Sequence, residues 1–368
     1  MRHFRPLRGR LARLALFCLA LSIVGNNAVR SEDRIEQTDV FTSGTEGYHT
    51  YRIPAVVLTN EKTLLAFCEG RKTGRGDHGD LDLVLRRSTD GGKTWQPMQL
   101  VYEEGGEAKI TIGNPCPVVD RSTGTIWLPF CRNNDRVFMT HSTDDGKSWA
   151  KPIEITTDVK RPQWGWYATG PGHGIQLAGG RLLIPCDSRT RSMPGGIKAD
   201  GRSQMIYSDD HGKTWKLGGE TAAGMNECEV VELADGGLLL SMRNYFGRNQ
   251  RAFSTSRDAG LTWTEPKHHA QVYCPTCQSS IERYSLKPKN RILYSGPGGE
   301  GRNHMTVRLS YDEGRTWPVA KRIYTGSSAY SDLVVLSDGT IGCLYERDNY
   351  GKITFARFTL EWLTDGQD

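Results

Sequence analysis

Three aspartates, Asp77, Asp80 and Asp82, crowd the segment Arg75-Gly-Asp-His-Gly-Asp-Leu-Asp-Leu83, and Glu227 and Glu229 stand two residues apart in Met225-Asn-Glu-Cys-Glu-Val230. Carboxyl groups give and take protons in catalysis when their surroundings tune them. The Gly-flanked loop of the first segment suits an acid that must swing over a bound ligand. In the second, residues i and i+2 of a regular strand point to one face, so local sequence does not separate the two glutamates. Arginines stand in Tyr51-Arg52-Ile53-Pro54, Ser241-Met-Arg-Asn244 and Gly301-Arg-Asn-His304. Guanidinium groups grip carboxylates through parallel charge-assisted hydrogen bonds. The formal charge is +5, but Arg2, Arg5, Arg8, Arg10 and Arg13 account for it and the remaining chain is neutral. An acidic ligand therefore depends on locally placed arginines, and no global basic field is present to draw nucleic acid.

Those five arginines precede an apolar run from Leu14 to Val24. The pattern is that of a secretory signal, with cleavage expected near Ala28. The run is shorter than the roughly 20 residues a membrane-spanning helix needs. Residues 1–28 are thus expected to be a signal peptide, and 29–368 an exported domain with no membrane span. A secreted or periplasmic location follows, with an uncleaved anchor as the alternative. Cys18 lies in the leader, and the other eight cysteines are scattered from Cys68 to Cys343. Cys274-Pro-Thr-Cys277 lacks the second pair or spaced histidines of a zinc site, so no metal is expected and buried thiols are the favoured reading.

The elements that must position the acids and arginines announce themselves through a repeat. Ser-x-Asp-x-Gly-x-Thr-Trp occurs five times, at Ser88–Trp95, Ser142–Trp149 (with Ser148 for Thr), Ser208–Trp215, Ser256–Trp263 and Ser310–Trp317. The aspartate can accept backbone hydrogen bonds, the glycine can take positive φ, and the tryptophan can plug the turn. Between the copies lie short β-rich runs, including Ala55–Leu58, Leu81–Leu85, Thr125–Phe130, Arg181–Pro185, Gly237–Met242, Arg291–Tyr294 and Thr340–Tyr345. The spacing of roughly 50 to 65 residues suits one four-stranded blade per repeat. The expected fold is all-β, a six-bladed β-propeller whose last blade is closed by the chain ends.

The repeats resemble the Asp-boxes of sialidases, a motif that also occurs in propellers without enzymatic activity. The three arginine segments sharpen the resemblance, because Arg52, Arg243 and Arg302 follow one another in the order of that family's arginine triad. It extends from Tyr51 to Leu360 and includes Asn114-Pro-Cys-Pro117 and Gly170-Pro-Gly-His-Gly174, the latter read as a bend at the pocket rim.

The resemblance implies that the three arginines hold the carboxylate of sialic acid and that Glu346, in Cys343-Leu-Tyr-Glu346, braces the first of them. It implies that Tyr330, in Ser327-Ser-Ala-Tyr-Ser-Asp-Leu333, is the nucleophile, Glu227 its base in preference to Glu229, and Asp77 the acid/base. Glu69 and Arg71 match pocket residues that meet substrate hydroxyls. A neutral phenol suits attack beside a carboxylate, which would repel a carboxylate nucleophile; sialidases are the recognised tyrosine exception among glycosidases. With an unperturbed pKa near 10, the tyrosine needs its base. Asp77 is expected to have a raised pKa. The implied activity is exo-α-sialidase hydrolysis of sialylated glycans, glycoproteins or gangliosides with retention, without a cofactor and with a monomer favoured. The alternatives are a sialic-acid-binding propeller without turnover and a trans- or anhydro-sialidase of the same mechanism. The stretch Cys186-Asp-Ser-Arg-Thr190 matches nothing assignable, which leaves the preferred sialic acid variant and linkage open.

Overall fold

The computed structural model describes residues 1–3, 35–106, 108–191 and 200–368. The expected signal segment 1–28, with Cys18, lies outside the described residues except for its first three. The compact unit Glu32–Asp368 carries six antiparallel sheets, the blades of a propeller. The first has strands Thr50–Leu58, Leu64–Arg71, Leu81–Ser88 and Gln99–Tyr102. The second is built on Ile112–Gly113, Ile126–Arg132, Arg136–Ser142 and Ile153–Glu154, and the third on Trp164–Thr169, Leu182–Thr190, Arg202–Ser208 and Lys216–Glu220. The fourth comprises Met225–Glu232, Leu238–Asn244, Gln250–Ser256 and Lys267–Tyr273, and the fifth Ser280–Ser285, Arg291–Pro297, Met305–Ser310 and Val319–Arg322. The sixth joins Ser328–Val335, Ile341–Arg347 and Lys352–Phe358 to the N-terminal strand Glu36–Thr42, so strands from both ends of the described unit close the ring.

Each blade is a twisted sheet that must bury both faces, and the core divides accordingly into clusters between neighbouring blades. Leu65, Phe67 and Leu85 of the first blade meet Ile126, Leu128 and Phe130 of the second. Across the closure, Leu64 and Ala66 meet Leu344 and Phe355 of the sixth, with Phe41 of the N-terminal strand in the same cluster.

All five repeats form the turn between the third and fourth strands of a blade. In the second blade, Asp144 Oδ1 accepts from Ser148 N at 2.9 Å and Oδ2 from the Ser148 hydroxyl at 2.6 Å. The leading serine, whose part the sequence did not disclose, accepts from the glycine: Gly146 N reaches Ser142 Oγ at 2.9 Å. The glycine is required twice over. Gly92 has φ +84°, and a Cβ there would lie 2.3 Å from the Phe355 ring of the neighbouring blade. Thus one turn both locks its hairpin and seats against the next sheet.

These bonds favour the ionised aspartate, and the Ser148 hydroxyl leads in holding Asp144 down to about 2 from an ordinary value of 3.8. A depressed folded value means stabilisation that is complete above 3.8 and lost as the pH falls toward 2. Asp144→Asn is therefore expected to lower Tm near neutrality, with the gap to the native protein closing across that acid window. Thermal unfolding as a function of pH measures it; a gap independent of pH would contradict the role given to the charge.

Candidate active site

The inner strands of the first, fourth and sixth blades share one irregularity. Each carries an extra residue against its partner: between the pairs Arg52↔Glu69 and Ala55↔Phe67, Met225↔Asn244 and Cys228↔Met242, and Ser328↔Arg347 and Ser331↔Tyr345. Such β-bulges re-aim side chains and gather near functional sites. Here they hold Arg52, Glu227 and Tyr330. Ile53 beside Arg52 takes φ +64°, an unfavourable conformation for a β-branched residue. The bulge also separates the two glutamates that a regular strand would have kept on one face. Glu227 turns to Tyr330, whereas Glu229, fully buried, accepts from Ser280 Oγ at 2.7 Å and Ile281 N at 2.9 Å.

Tyr330 donates its phenolic proton to Glu227 Oε1, and Arg243 Nη1 reaches both the phenol oxygen, at 2.9 Å, and Glu227 Oε2, at 2.7 Å. Burial, with Glu227 adding, pushes the phenol well above its ordinary value, against the opposing pull of Arg243 and Arg302. The guanidinium carbons of Arg52 and Arg302 each stand 5.4 Å from the Tyr330 ring centre. Three cations thus converge on one phenol.

Glu346 has no exposed surface and serves two of these groups at once. One oxygen accepts from Arg52 Nε at 2.6 Å and Ile53 N at 2.9 Å, the other from Tyr330 N at 3.1 Å. The sequence offered it only as a brace for Arg52; its hold on the tyrosine backbone spans the bulge between two neighbouring strands of the sixth blade, which no local motif records.

On the other side of the site Arg71 is clamped by Glu69 Oε2 at 2.6 Å and reaches Asp77 Oδ1 at 2.8 Å. Asp80 and Asp82 are drawn away to Lys72, each at 3.2 Å, and Asp82 also accepts from the Tyr48 hydroxyl at 2.7 Å. Asp77 is the aspartate that stays with Arg71, on a side chain 69% exposed. The expectation of a raised pKa fails in this state. Burial acts upward most strongly, but Arg71, joined by Arg52 and His78, outweighs it and the carboxyl lies below the ordinary value.

Two features escaped the sequence. Tyr350 ends a run of three left-handed residues, Asp348, Asn349 and Tyr350. Its ring lies 4.0 Å beneath the Arg52 guanidinium carbon and its hydroxyl accepts from Arg302 Nη1 at 3.1 Å, so one side chain spaces two of the cations. No residue pattern announces it. The Gly170–Gly174 segment was read as the pocket rim, but its histidine lies in the middle of the propeller. His173 is buried, with Nδ1 2.7 Å from Asp332 and Nε2 2.8 Å from Glu282. Burial disfavours its charge, yet Asp332 and Glu282 hold the imidazolium well above the ordinary histidine range. His173, Glu229 and Asp332 are close enough to ligate one ion. Their atoms are already spent, however, on Val56 N, the Ser280 hydroxyl, Ile281 N and Gln278. The cluster reads as a hydrogen-bonded keystone joining blades. All eight described cysteines, Cys274 and Cys277 among them, are buried and free of disulfides.

The BNR repeat-like domain family matches residues 62–343. The chain is 33% identical over 375 residues to a sialidase of Bacteroides fragilis, covering 90% of this chain and 67% of that protein. It is 32% identical over 360 residues to Sialidase-2 of Mus musculus, covering 86% and 93%. The chain belongs to the sialidase family. A sialidase of Micromonospora viridifaciens is 35% identical over 357 residues, with 89% of this chain covered but only 54% of that protein, so the chain spans about half of that relative's length. Among solved sialidase structures, the Hadza microbial sialidase Hz136 superposes with a TM-score of 0.80 at 31% identity, covering 89% of this chain and 69% of that one. The intramolecular trans-sialidase of Ruminococcus gnavus has a TM-score of 0.75 at 19% identity, covering 89% and 98%, a likeness that concerns the fold.

Proposed function

We propose that the chain is an exo-α-sialidase that hydrolyses terminal sialic acid from glycans, glycoproteins or gangliosides with retention of configuration. The observation that carries this reading is the Tyr330–Glu227–Arg243 hydrogen-bonded set, with Arg52 and Arg302 beside the same phenol. The triad holds the substrate carboxylate. The phenol, kept neutral in the free protein, attacks the anomeric carbon while its proton passes to Glu227. The bond to the leaving sugar breaks as Asp77 protonates the departing oxygen. Asp77 then takes a proton from water, which displaces Tyr330; the phenolate recovers its proton from Glu227. Two displacements at one carbon retain configuration. Acid, base and nucleophile are all side chains. Export by the N-terminal segment would place the activity outside the cytoplasm.

Asp77 must carry a proton to act as acid, so on this reading it exchanges Arg71 for the glycosidic oxygen as substrate arrives. The low value in the free protein has a testable consequence. Removing the cation in Arg71→Met should raise the Asp77 pKa, and the alkaline limb of the kcat/KM profile should move to higher pH whatever the loss in amplitude. An unmoved limb would separate Asp77 from that ionisation.

The reading as a whole is tested by fluorophore release from an aryl α-sialoside, with NMR of the first-formed sugar. Hydrolysis giving the α-anomer is expected. An inverted first product would end the double-displacement mechanism, an anhydro product would reassign the second step, and binding without turnover would leave a lectin-like propeller.

A further inference from the structure

Arg52, Glu227 and Tyr330 stand near the starts of inner strands, at one end of the central channel, and the far ends of the same strands line a second opening. Val57, Val231 and Val335, four or five residues further along, border a cavity of about 410 Å³ there. At about 3.3 Å per residue, roughly 15 Å of strand separates it from the Tyr330 set. Leu233 extends the aliphatic wall, and Leu286 is 53% exposed at its edge. The volume and the lining, aliphatic with a few charged groups, are those of a small-molecule site.

Five charged side chains reach the cavity: His173, Glu282, Arg121, Glu232 and Arg283. His173 turns one nitrogen to Asp332 and the other to Glu282, so an imidazolium lies between two carboxylates. Arg283 meets Glu313 with both terminal nitrogens, at 3.1 and 2.9 Å. Arg121 makes no ion pair among the described residues and donates to Leu58 O at 2.7 Å. Glu232 accepts from Ala178 N at 2.8 Å and likewise has no ion pair among them. With Arg283 set against Glu313 and Arg121 against Glu232, one negative charge is left over, on the row Asp332–His173–Glu282. Glu282 shows it to the cavity. One of its oxygens is 2.8 Å from His173, the other makes no hydrogen bond among the described residues, and the side chain is 23% exposed.

An unmatched carboxylate oxygen inside an aliphatic cup calls for a donor that carries positive charge. A carboxylate ligand would meet Glu282 and Glu232 as like charges, and a neutral apolar one would press hydrocarbon against an uncompensated charge. An ammonium brings three N–H donors, and an aliphatic chain attached to it removes the valine and leucine walls from water.

We propose that this cavity binds a primary ammonium carried on an aliphatic body, with the cation at Glu282 and the body against Val57, Val231 and Val335. The site is separate from the Tyr330 set and does not depend on the sialidase reading. Its test is calorimetric titration of the full chain with n-octylamine, n-octanoate and n-octanol, three probes of one length that differ in the head group. Octylamine should bind one equivalent, at least about tenfold tighter than either of the others, and shortening it to n-hexylamine should weaken binding by about fourfold per methylene removed. Glu282→Gln should weaken octylamine by about tenfold or more. Because Glu282 also holds His173, a second variant is needed: Val335→Phe, at a half-buried strand end, fills the cavity and should abolish binding while thermal unfolding stays native-like. Arg243→Ala, at the other end of the channel, should leave the amine affinity unchanged. No saturable binding of octylamine, an equal or greater affinity for octanoate or octanol, or a Kd that neither Glu282→Gln nor Val335→Phe moves would overturn the inference.

Discussion

Tyr330→Phe should lower kcat on an aryl α-sialoside by about a thousandfold or more, the scale expected when a covalent nucleophile is removed. The change deletes one oxygen and little else. Arg243 and Glu227 still hold each other at 2.7 Å, and the aromatic body still packs against Ile53, Cys277 and Ala329. Fold and affinity for the carboxylate should therefore survive. A loss below tenfold in a folded protein would mean that the phenol is not the attacking group.

The second large effect is expected from Glu346→Gln. This carboxylate is fully buried and accepts from Arg52 Nε, Ile53 N and Tyr330 N. A glutamine keeps one acceptor, sets an amide donor against a donor, and leaves the Arg52 guanidinium without its counter-ion. Breaking a buried pair on one side costs about 3–5 kcal/mol. Denaturant unfolding should show that loss, and the same variant should bind carboxylate-bearing inhibitors weakly because Arg52 and the Tyr330 backbone are released together. Unfolding at the native midpoint would contradict the role given to Glu346 in holding Arg52 and the Tyr330 backbone.

The parts of this molecule legible in sequence are those whose chemistry is local. An Asp-box carries its turn within eight residues, so five blades were countable, and the sixth followed from the need to close a ring. That Arg52, Arg243, Arg302, Tyr330 and Glu227 gather at one place was legible through family order. What sequence could not supply depends on distant strands. The three bulges are register shifts between paired strands, which is why Glu227 and Glu229 looked equivalent. The low pKa of Asp77 comes from Arg71 folding over its loop, and Tyr350 reaches Arg52 and Arg302 from a turn in the sixth blade. His173 was misplaced because a glycine-rich bend looks the same at a rim as at the middle of a propeller.

The most direct test of the central claim is to treat the protein with a 2,3-difluorosialic acid, quench, digest and locate the adduct by mass spectrometry. The fluorine at C3 slows release of the glycosyl-enzyme, so a covalent intermediate should accumulate on the peptide containing Tyr330 as turnover stops. An adduct on Glu227 or another side chain, or inhibition with no adduct at all, would contradict the account.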